Sequence, residues 1–188
     1  MYNPFSLIGK TILVTGASSG IGRATAIECS KMGAKLILTG RNEERLKATL
    51  ALLTGEGHTH LCYDLSNEEE IKELCTTIPA IDGLAHCAGI SMLKPILALT
   101  ANNLHELFAT NYYAPVLLTK QLAKAKKLQH GASLVYVGSI SGISNVATAL
   151  SIYGSSKSAL NSFVQYAALE FSGKQIRCNA VLPGRIET

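Results

Sequence analysis

The stretch TILVTGASSGIG, residues 11–22, places a short apolar run directly before three closely spaced glycines. The run 11–15 predicts a buried strand, and the residues after the glycines predict a helix. A turn with Gly16, Gly20 and Gly22 between strand and helix suits a pyrophosphate. Backbone N–H groups can approach its phosphates, and the helix N-terminus supplies positive potential. The spacing is G-x3-G-x-G rather than the commoner G-x-G-x-x-G, so an ordinary strand-to-helix turn is the alternative.

Five further runs of the same kind follow, each separated from the next by a helical stretch. They cover residues 35–39, 60–64, 83–89, 133–139 and 176–182. Strands that alternate with helices predict a parallel sheet with helices on both faces. We therefore expect an α/β protein with a Rossmann-type doubly wound parallel sheet, in a single domain that spans residues 1–188.

Local signals predict several helix ends. Gly33, Gly55 and Gly173 each follow a helical stretch and are predicted to stop it. Ser66, with Glu69 three residues later, predicts a capping box at the start of the third helix.

Composition and charge narrow the class of protein. The 188 residues are 47% hydrophobic, with a net charge of +4 that is spread along the chain, which suits an anionic small molecule better than nucleic acid. The five cysteines are odd in number and contain no C-x-x-C pair, so neither a disulfide framework nor a metal site is expected. No segment approaches the ~20 apolar residues of a membrane span. We expect a soluble, cytoplasmic protein.

The end of the second strand bears on which nucleotide binds. About twenty residues past the glycines, an NAD-binding domain would carry Asp or Glu for the ribose 2′-hydroxyl. Here Gly40 stands at that place, and the neighbouring Arg41 could pair with a 2′-phosphate. We expect NADP(H) rather than NAD(H); the alternative is a solvated surface arginine. Asp64, after the third strand, could accept a hydrogen bond from an adenine amino group or could cap the turn before Ser66.

Tyr153 and Lys157 carry the predicted acid–base chemistry. They are four residues apart on a helical stretch and so share one face. A phenol titrates near ~10, but a nearby ammonium favours the phenolate. Tyr153 could then exchange a proton with a substrate oxygen. Ser139 could hydrogen-bond the same oxygen, with Ser141 as the alternative hydroxyl. By itself, the tyrosine–lysine spacing could be an incidental helical pair.

Together these features resemble the short-chain dehydrogenase/reductase family. The resemblance rests on TGASSGIG, Asp64, Ser139, Tyr153-Gly-Ser-Ser-Lys157 and Pro183-Gly184, and it covers nearly the whole chain. It implies the strand order 3-2-1-4-5-6 and an NADP(H)-dependent oxidoreductase that interconverts a carbonyl and an alcohol, with 3-oxoacyl thioester reductases among the similar members. It also implies a homodimer or homotetramer. A catalytically idle NADP(H)-binding sensor or scaffold is the competing hypothesis.

The resemblance assigns roles to particular residues. It implies catalytic roles for Asn111, Ser139, Tyr153 and Lys157. It implies cofactor contacts at Gly16, Ser18, Ser19, Gly20, Ile21, Gly22, Arg41, Asp64, Ala88, Gly89, Tyr153, Lys157, Pro183, Gly184 and Thr188.

Asn111 lies in a long predicted helix, from about residue 102 to 127. Pro115 lacks the N–H that would bond the Asn111 carbonyl, so the helix is predicted to distort there. Our hypothesis is that this carbonyl holds a water that links Lys157 to solvent. The alternative is that Pro115 only bends the helix.

The chain departs from the resembled family at two places. His86-Cys87 stands where the family usually has Asn-Asn, which puts local hydrogen bonding in doubt rather than catalysis. Cys87 is expected to be a buried, inert thiol. Beyond Pro183-Gly184 the family usually has a substrate-covering flap and a seventh strand, so we expect the natural chain to continue past Thr188.

Overall fold

The computed structural model describes residues 3–186. Within them, the strands are β1 Thr11–Thr15, β2 Lys35–Gly40, β3 Thr59–Cys62, β4 Ile81–His86, β5 Leu128–Val137 and β6 Arg177–Val181. The α-helices are α1 Gly20–Lys31, α2 Glu43–Leu50, α3 Glu68–Thr77, α4 Ala101–Phe108, α5 Ala114–Lys124 and α6 Ser151–Glu170. A π-helical segment, Ala109–Tyr113, joins α4 to α5. Short 3-10 turns cover Ile96–Ala98, Ile140–Gly142 and Ser172–Lys174.

All six strands pair in parallel in the order β3-β2-β1-β4-β5-β6, which confirms the predicted fold class and strand order. From β1 the chain builds outward to β3 and then returns to add β4 on the other side of β1. At this reversal the connections leave β1 and β4 toward opposite faces, and a crevice opens at the carboxyl ends of the two strands. The candidate site lies there.

The sheet separates two hydrophobic clusters. Ile12 and Val14 point to the face covered by α1 and α2, whereas Leu13, between them, points to the face covered by α3, α5 and α6. This alternation follows from the two-residue period of a strand. Strands that are buried on both faces read as continuous apolar runs, which is why the sequence reveals them. Among residues 3–186, no helix is both long enough and apolar enough to cross a membrane.

Two of the three predicted glycine stops are wrong. Gly33 has a φ of +94° directly after the cap of α1, as predicted. However, α2 ends before Gly55, whose positive φ belongs to the following loop. Likewise α6 ends before Gly173, and the left-handed residue beyond it is Gln175, with a φ of +54°.

The predicted capping box at Ser66 is also wrong. Asn67 caps α3 instead, because its Oδ1 accepts a hydrogen bond from the Glu69 N–H at 3.0 Å. The N–H and the hydroxyl of Ser66 both donate to Asp64 Oδ1, at 2.9 and 2.8 Å. The turn before α3 therefore uses two side-chain acceptors in succession.

Candidate active site

Glycines shape the turn between β1 and α1. Gly16 and Gly20 have φ values of +63° and +50°, in the left-handed region that favours glycine. A Cβ on Gly16 would lie 2.8 Å from the Cα of Ala88, and a Cβ on Gly22 would collide with the carbonyl oxygen of Gly16. The absent side chains let the backbone after β4 and the first turn of α1 pack closely against this turn.

A groove of about 570 Å³ opens beside this turn, at the carboxyl ends of β1, β2 and β3. Its walls include ten of the predicted cofactor residues: Gly16, Ser18, Ser19, Gly20, Ile21, Gly22, Arg41, Asp64, Ala88 and Gly89. Ser19 begins α1 in an extended conformation, and its side chain does not cap the helix. A groove of this size, with a helix N-terminus at its base, fits a dinucleotide.

Two arginines line the outer end of the groove. Arg41 follows β2, Arg45 lies in the first turn of α2, and both line the groove. Neither forms an ion pair with a carboxylate within residues 3–186. A Cβ at Gly40 would meet Ser18 Oγ at an ordinary 3.6 Å, so packing does not require glycine there. Arg45 is not among the residues predicted from the sequence; the signal that indicates it is a second arginine in the first turn of the helix after β2.

Asp64 caps the turn before Ser66 and also lines the groove. Its two hydrogen bonds to Ser66 both use Oδ1. The capping interpretation is confirmed, and the contact to adenine stays a prediction.

A second cavity, of about 310 Å³, adjoins the groove. The two share Ile21, Cys87, Gly89 and Ile90 as lining residues. The second cavity is also lined by Ser139, Tyr153, Lys157, Pro183 and Gly184. The end of β5, the first turns of α6 and the segment after β6 therefore bring these predicted residues together. Thr188 lies outside the described residues.

Lys157 is buried beside the candidate acid. It is 5% exposed, and its Nζ donates to the Val137 carbonyl oxygen at 2.9 Å. Nζ also lies 6.0 Å from the centre of the Tyr153 ring. Burial lowers the pKa of Lys157 to about 8. The side chain is still mostly an ammonium at neutral pH, which places a positive charge next to the phenol.

Ser139 fits the hydrogen-bonding role better than Ser141. Its side chain is 7% exposed, lines the second cavity and accepts a hydrogen bond from the Ser141 N–H at 3.1 Å. A hydroxyl that accepts one bond can still donate its proton, here to an oxygen in the cavity. Ser141 lies in the following 3-10 turn and does not line the cavity.

Asn111 lies in the π-helical segment, which ends two residues before Pro115 and is the distortion that the proline predicts. Its side chain is buried: Oδ1 accepts from the Ile90 N–H, and Nδ2 donates to the Ile90 carbonyl, both at 2.9 Å. Nδ2 also donates to Ser156 Oγ at 3.1 Å. Asn111 therefore ties the loop after β4 to α6, without lining either cavity. The water relay through its backbone carbonyl stays a prediction.

His86 is the last residue of β4, and Cys87 directly follows it and lines the second cavity. The His86 ring is 1% exposed and stacks on Tyr136, with ring centroids 6.1 Å apart at 14°. Its Nε2 has no hydrogen-bond partner in the described part of the chain, which confirms the doubt about hydrogen bonding here. Cys87 is half-buried and lines both cavities, so the prediction that it is buried is wrong. Burial nevertheless raises the pKa of its thiol to about 11, which is consistent with an inert thiol. Within residues 3–186, no cluster of three or more His, Cys, Asp or Glu could hold a metal ion.

Comparison with known proteins identifies several relatives. The family model described as short chain dehydrogenase matches residues 10–188. Carbonyl reductase family member 4 of Danio rerio is 32% identical over 185 residues, which cover 96% of this chain and 77% of that protein. A tropinone reductase homolog of Arabidopsis thaliana is 34% identical over 192 residues, covering 98% and 70%. A solved short chain dehydrogenase of Escherichia coli CFT073, complexed with NADPH, has a TM-score of 0.87 at 30% identity, covering 97% and 80%.

Proposed function

The chain belongs to the short-chain dehydrogenase family, and on that premise we propose that it is an NADP(H)-dependent oxidoreductase that interconverts a carbonyl and an alcohol. The observation that carries the proposal is the meeting of Ser139, Tyr153 and Lys157 in a cavity that adjoins the phosphate-binding groove. In this proposal one domain, residues 1–188, carries both the cofactor site and the catalytic residues.

The groove supports the choice of cofactor. When bound, the nicotinamide supplies or accepts the hydride. The β1–α1 turn would hold the pyrophosphate through backbone N–H groups, as the glycine geometry permits. Arg41 and Arg45 would hold a 2′-phosphate, and no carboxylate at position 40 would compete for them. Asp64 would accept from the adenine amino group, and Pro183 and Gly184 would contact the nicotinamide.

The second cavity supports the acid–base assignment. In reduction, Tyr153 donates its phenolic proton to the substrate oxygen, and in oxidation it takes that proton back. The buried ammonium of Lys157 lowers the free energy of the phenolate. Ser139 donates to the same oxygen and stabilises the charge that develops there. Asn111 fixes the loop after β4, and thereby one wall of the cavity.

The surroundings of the cavity favour an uncharged, partly apolar substrate. The loops 90–99 and 138–150 carry exposed apolar side chains, including Leu93, Ile143 and Val146. The Lys94 N–H donates to the Ala149 carbonyl at 2.8 Å and so holds the two loops together. A 3-oxoacyl thioester is our first candidate substrate, with bicyclic and steroid ketones as rivals.

Loss of NADPH absorbance on a panel of these carbonyls tests the proposal. Tyr153→Phe should reduce kcat by about 10²- to 10⁴-fold because the proton donor is lost, while NADPH binding persists. Tyr166→Phe, on the same helix but lining neither cavity, is the matched control. It keeps the aromatic ring at the proposed subunit interface and should leave kcat unchanged. Turnover that survives Tyr153→Phe would contradict the assignment. Tight NADPH binding by the wild-type protein, without turnover on any carbonyl, would favour the idle sensor.

The preference for NADP(H) has its own test. Arg41→Ser and Arg45→Ser should each weaken NADPH binding roughly ten-fold and leave NADH binding nearly unchanged, because only NADPH carries the 2′-phosphate. Isothermal titration with both nucleotides measures this. Arg177→Ser, at an exposed arginine on β6, is the control. Equal losses for NADPH and NADH would contradict the role of the two arginines.

We also propose that the protein forms a homodimer or homotetramer in the cytoplasm. Two helical regions, one from α4 to α5 and the other α6, carry exposed apolar side chains that lie outside the hydrophobic core. These are Leu104, Tyr113, Tyr166 and Leu169. All five cysteines are free thiols, which suits a reducing compartment.

A further inference from the structure

His86 and Lys157 both lie near the carboxyl ends of β4 and β5. His86 is the last residue of β4 and pairs in register with Tyr136 of β5. Lys157 Nζ donates to the carbonyl of Val137, the next residue along β5. The same Nζ lies 3.2 Å from the position that a Cβ of Gly89, just beyond β4, would occupy. The imidazole stacks on Tyr136, and the ammonium donates to the residue that follows Tyr136, so both groups lie where β4 and β5 end.

Stacking alone does not account for an imidazole at this position. A phenyl ring could stack on Tyr136 equally well, whereas a buried polar atom without a partner costs about 1–3 kcal/mol. His86 Nε2 is such an atom within residues 3–186. Lys157 has the complementary surplus, because an ammonium has three N–H donors and Val137 takes one of them.

We propose that His86 is a positioning residue, whose neutral ring offers Lys157 a second buried hydrogen-bond acceptor, directly or through one water, and thereby sets the pH range in which Lys157 stays charged beside Tyr153. Only the catalytic consequence of this inference rests on the proposed function. The contact between the acceptor and the ammonium can be tested without turnover.

The titratable groups around His86 are consistent with this role. Tyr136 faces it from β5, Cys87 follows it in the chain, and the charge of Lys157 acts on it from α6. Tyr153 lies on the same helix beside Lys157. Burial raises the pKa of Tyr136 and of Cys87, so both stay neutral at neutral pH. Burial first, and the charge of Lys157 second, lower the pKa of His86 to about 3. Among these groups only Lys157 is positively charged at neutral pH, and the neutral His86 ring can accept a hydrogen bond from it.

Isotope labelling tests the contact in the protein without cofactor. With ¹⁵N-histidine and ¹³C-lysine, the wild-type His86 Nε2 signal should move as Lys157 titrates near pH 8. His86→Phe keeps the stacking but removes the acceptor, so the Lys157 midpoint should fall by about one pH unit, because a hydrogen bond to the charged form is lost. His86→Asn supplies an amide oxygen and should restore the midpoint. An unchanged midpoint in His86→Phe would overturn the proposal.

Two further readouts separate this inference from a purely structural role. If thermal unfolding shows that His86→Phe does not fold, the Nε2 signal of the wild-type protein is the deciding measurement. A His86 Nε2 chemical shift that does not change while Lys157 titrates would reject the proposal. In carbonyl reduction, His86→Phe should move the alkaline limb of the kcat profile to lower pH with KM unchanged, and His86→Asn should reverse the shift. Absence of wild-type turnover would reject the proposed function, while the lysine midpoint would still test His86.

Discussion

Gly22 is the residue at which the absence of a side chain matters most directly. A Cβ there would collide with the Gly16 carbonyl, so Gly22→Ala should displace the β1–α1 turn. We expect NADPH binding to weaken at least ten-fold and the free energy of unfolding to fall by about 1–3 kcal/mol, as for other overpacked sites. Titration calorimetry and urea unfolding measure the two effects. Gly173→Ala is the control, since a Cβ at Gly173 meets nothing within 4 Å. Equal behaviour of the two variants would contradict the steric argument.

Lys157 should make the stability of the protein depend on pH. Burial lowers its folded-state pKa to about 8, against about 10.5 in the unfolded chain. Between these values the unfolded chain binds more protons, so the Lys157 contribution makes the free energy of unfolding rise with pH. Lys157→Met should remove this rise. The variant should therefore gain about 1–3 kcal/mol over wild type at pH 7, and the gain should shrink toward pH 10.5.

Urea unfolding at pH 7, 8.5 and 10 measures this difference. Lys120→Met, at an exposed lysine on α5, supplies the control and should show no such trend. A difference between Lys157→Met and wild type that does not vary with pH would contradict the burial argument.

The site residues that sequence could predict are those whose chemistry or spacing is local. Ser139, Tyr153 and Lys157 could be chosen because a hydroxyl, a phenol and an ammonium suit one reaction, and the structure places them in one cavity. The unpartnered His86 Nε2 could not be predicted, because it depends on strand register and on α6 packing over β5. The sequence predicts Ser66 as the cap of α3, but it does not show that the Ser66 N–H, which a capping box requires, donates to Asp64 instead.

At the scale of elements, the π-helical segment shows how a local signal and a tertiary contact combine. Pro115 predicts a distortion, because it lacks the N–H that the Asn111 carbonyl would accept in an α-helix. It does not predict whether the helix kinks or widens. The Asn111 side chain bonds both Ile90 and Ser156, two residues far away in sequence. Those contacts lie beyond the reach of a helical pattern.

Asn111→Leu should test the contribution of this junction. The change removes three hydrogen bonds and leaves the polar groups of Ile90 without their partner, so we expect a loss of about 2–4 kcal/mol in the free energy of unfolding. Urea unfolding measures it. Asn161→Leu is the matched control, because the amide of Asn161 is buried without a partner in the described chain and its loss should be small. An equal loss in both variants would mean that packing, not hydrogen bonding, dominates.

At the scale of the whole molecule, the sheet was the most predictable feature. The inner strands β1, β2 and β4 are covered on both faces and therefore read as apolar runs. Five of the six predicted runs match the observed strands within a few residues. β5 begins at Leu128, well before its predicted start, because Leu128 pairs with Ile81 across a register shift. Such pairing depends on the neighbouring strand. The polar residues near the start of β5 do not by themselves predict a strand there.

Assembly is the prediction that belongs to the molecule as a whole. Light scattering should give a mass of two or four chains, and Leu169→Glu should reduce it, because Leu169 is 73% exposed on α6 and a charge there disfavours burial at an interface. Leu52→Glu, at an exposed leucine outside both helical regions, should leave the mass unchanged. A single-chain mass for the wild-type protein would reject the proposed homo-oligomer.

The two hydrophobic clusters on opposite faces of the sheet also have a consequence for evolution. Arg45 lies on α2, which packs against the cluster on one face, whereas Tyr153 and Lys157 lie on α6, which packs against the cluster on the other face. Effects of substitutions that share no neighbours usually add. Nucleotide preference and carbonyl chemistry can therefore be altered in separate rounds of selection, and stability lost while changing one can be recovered by repacking the far side of the sheet.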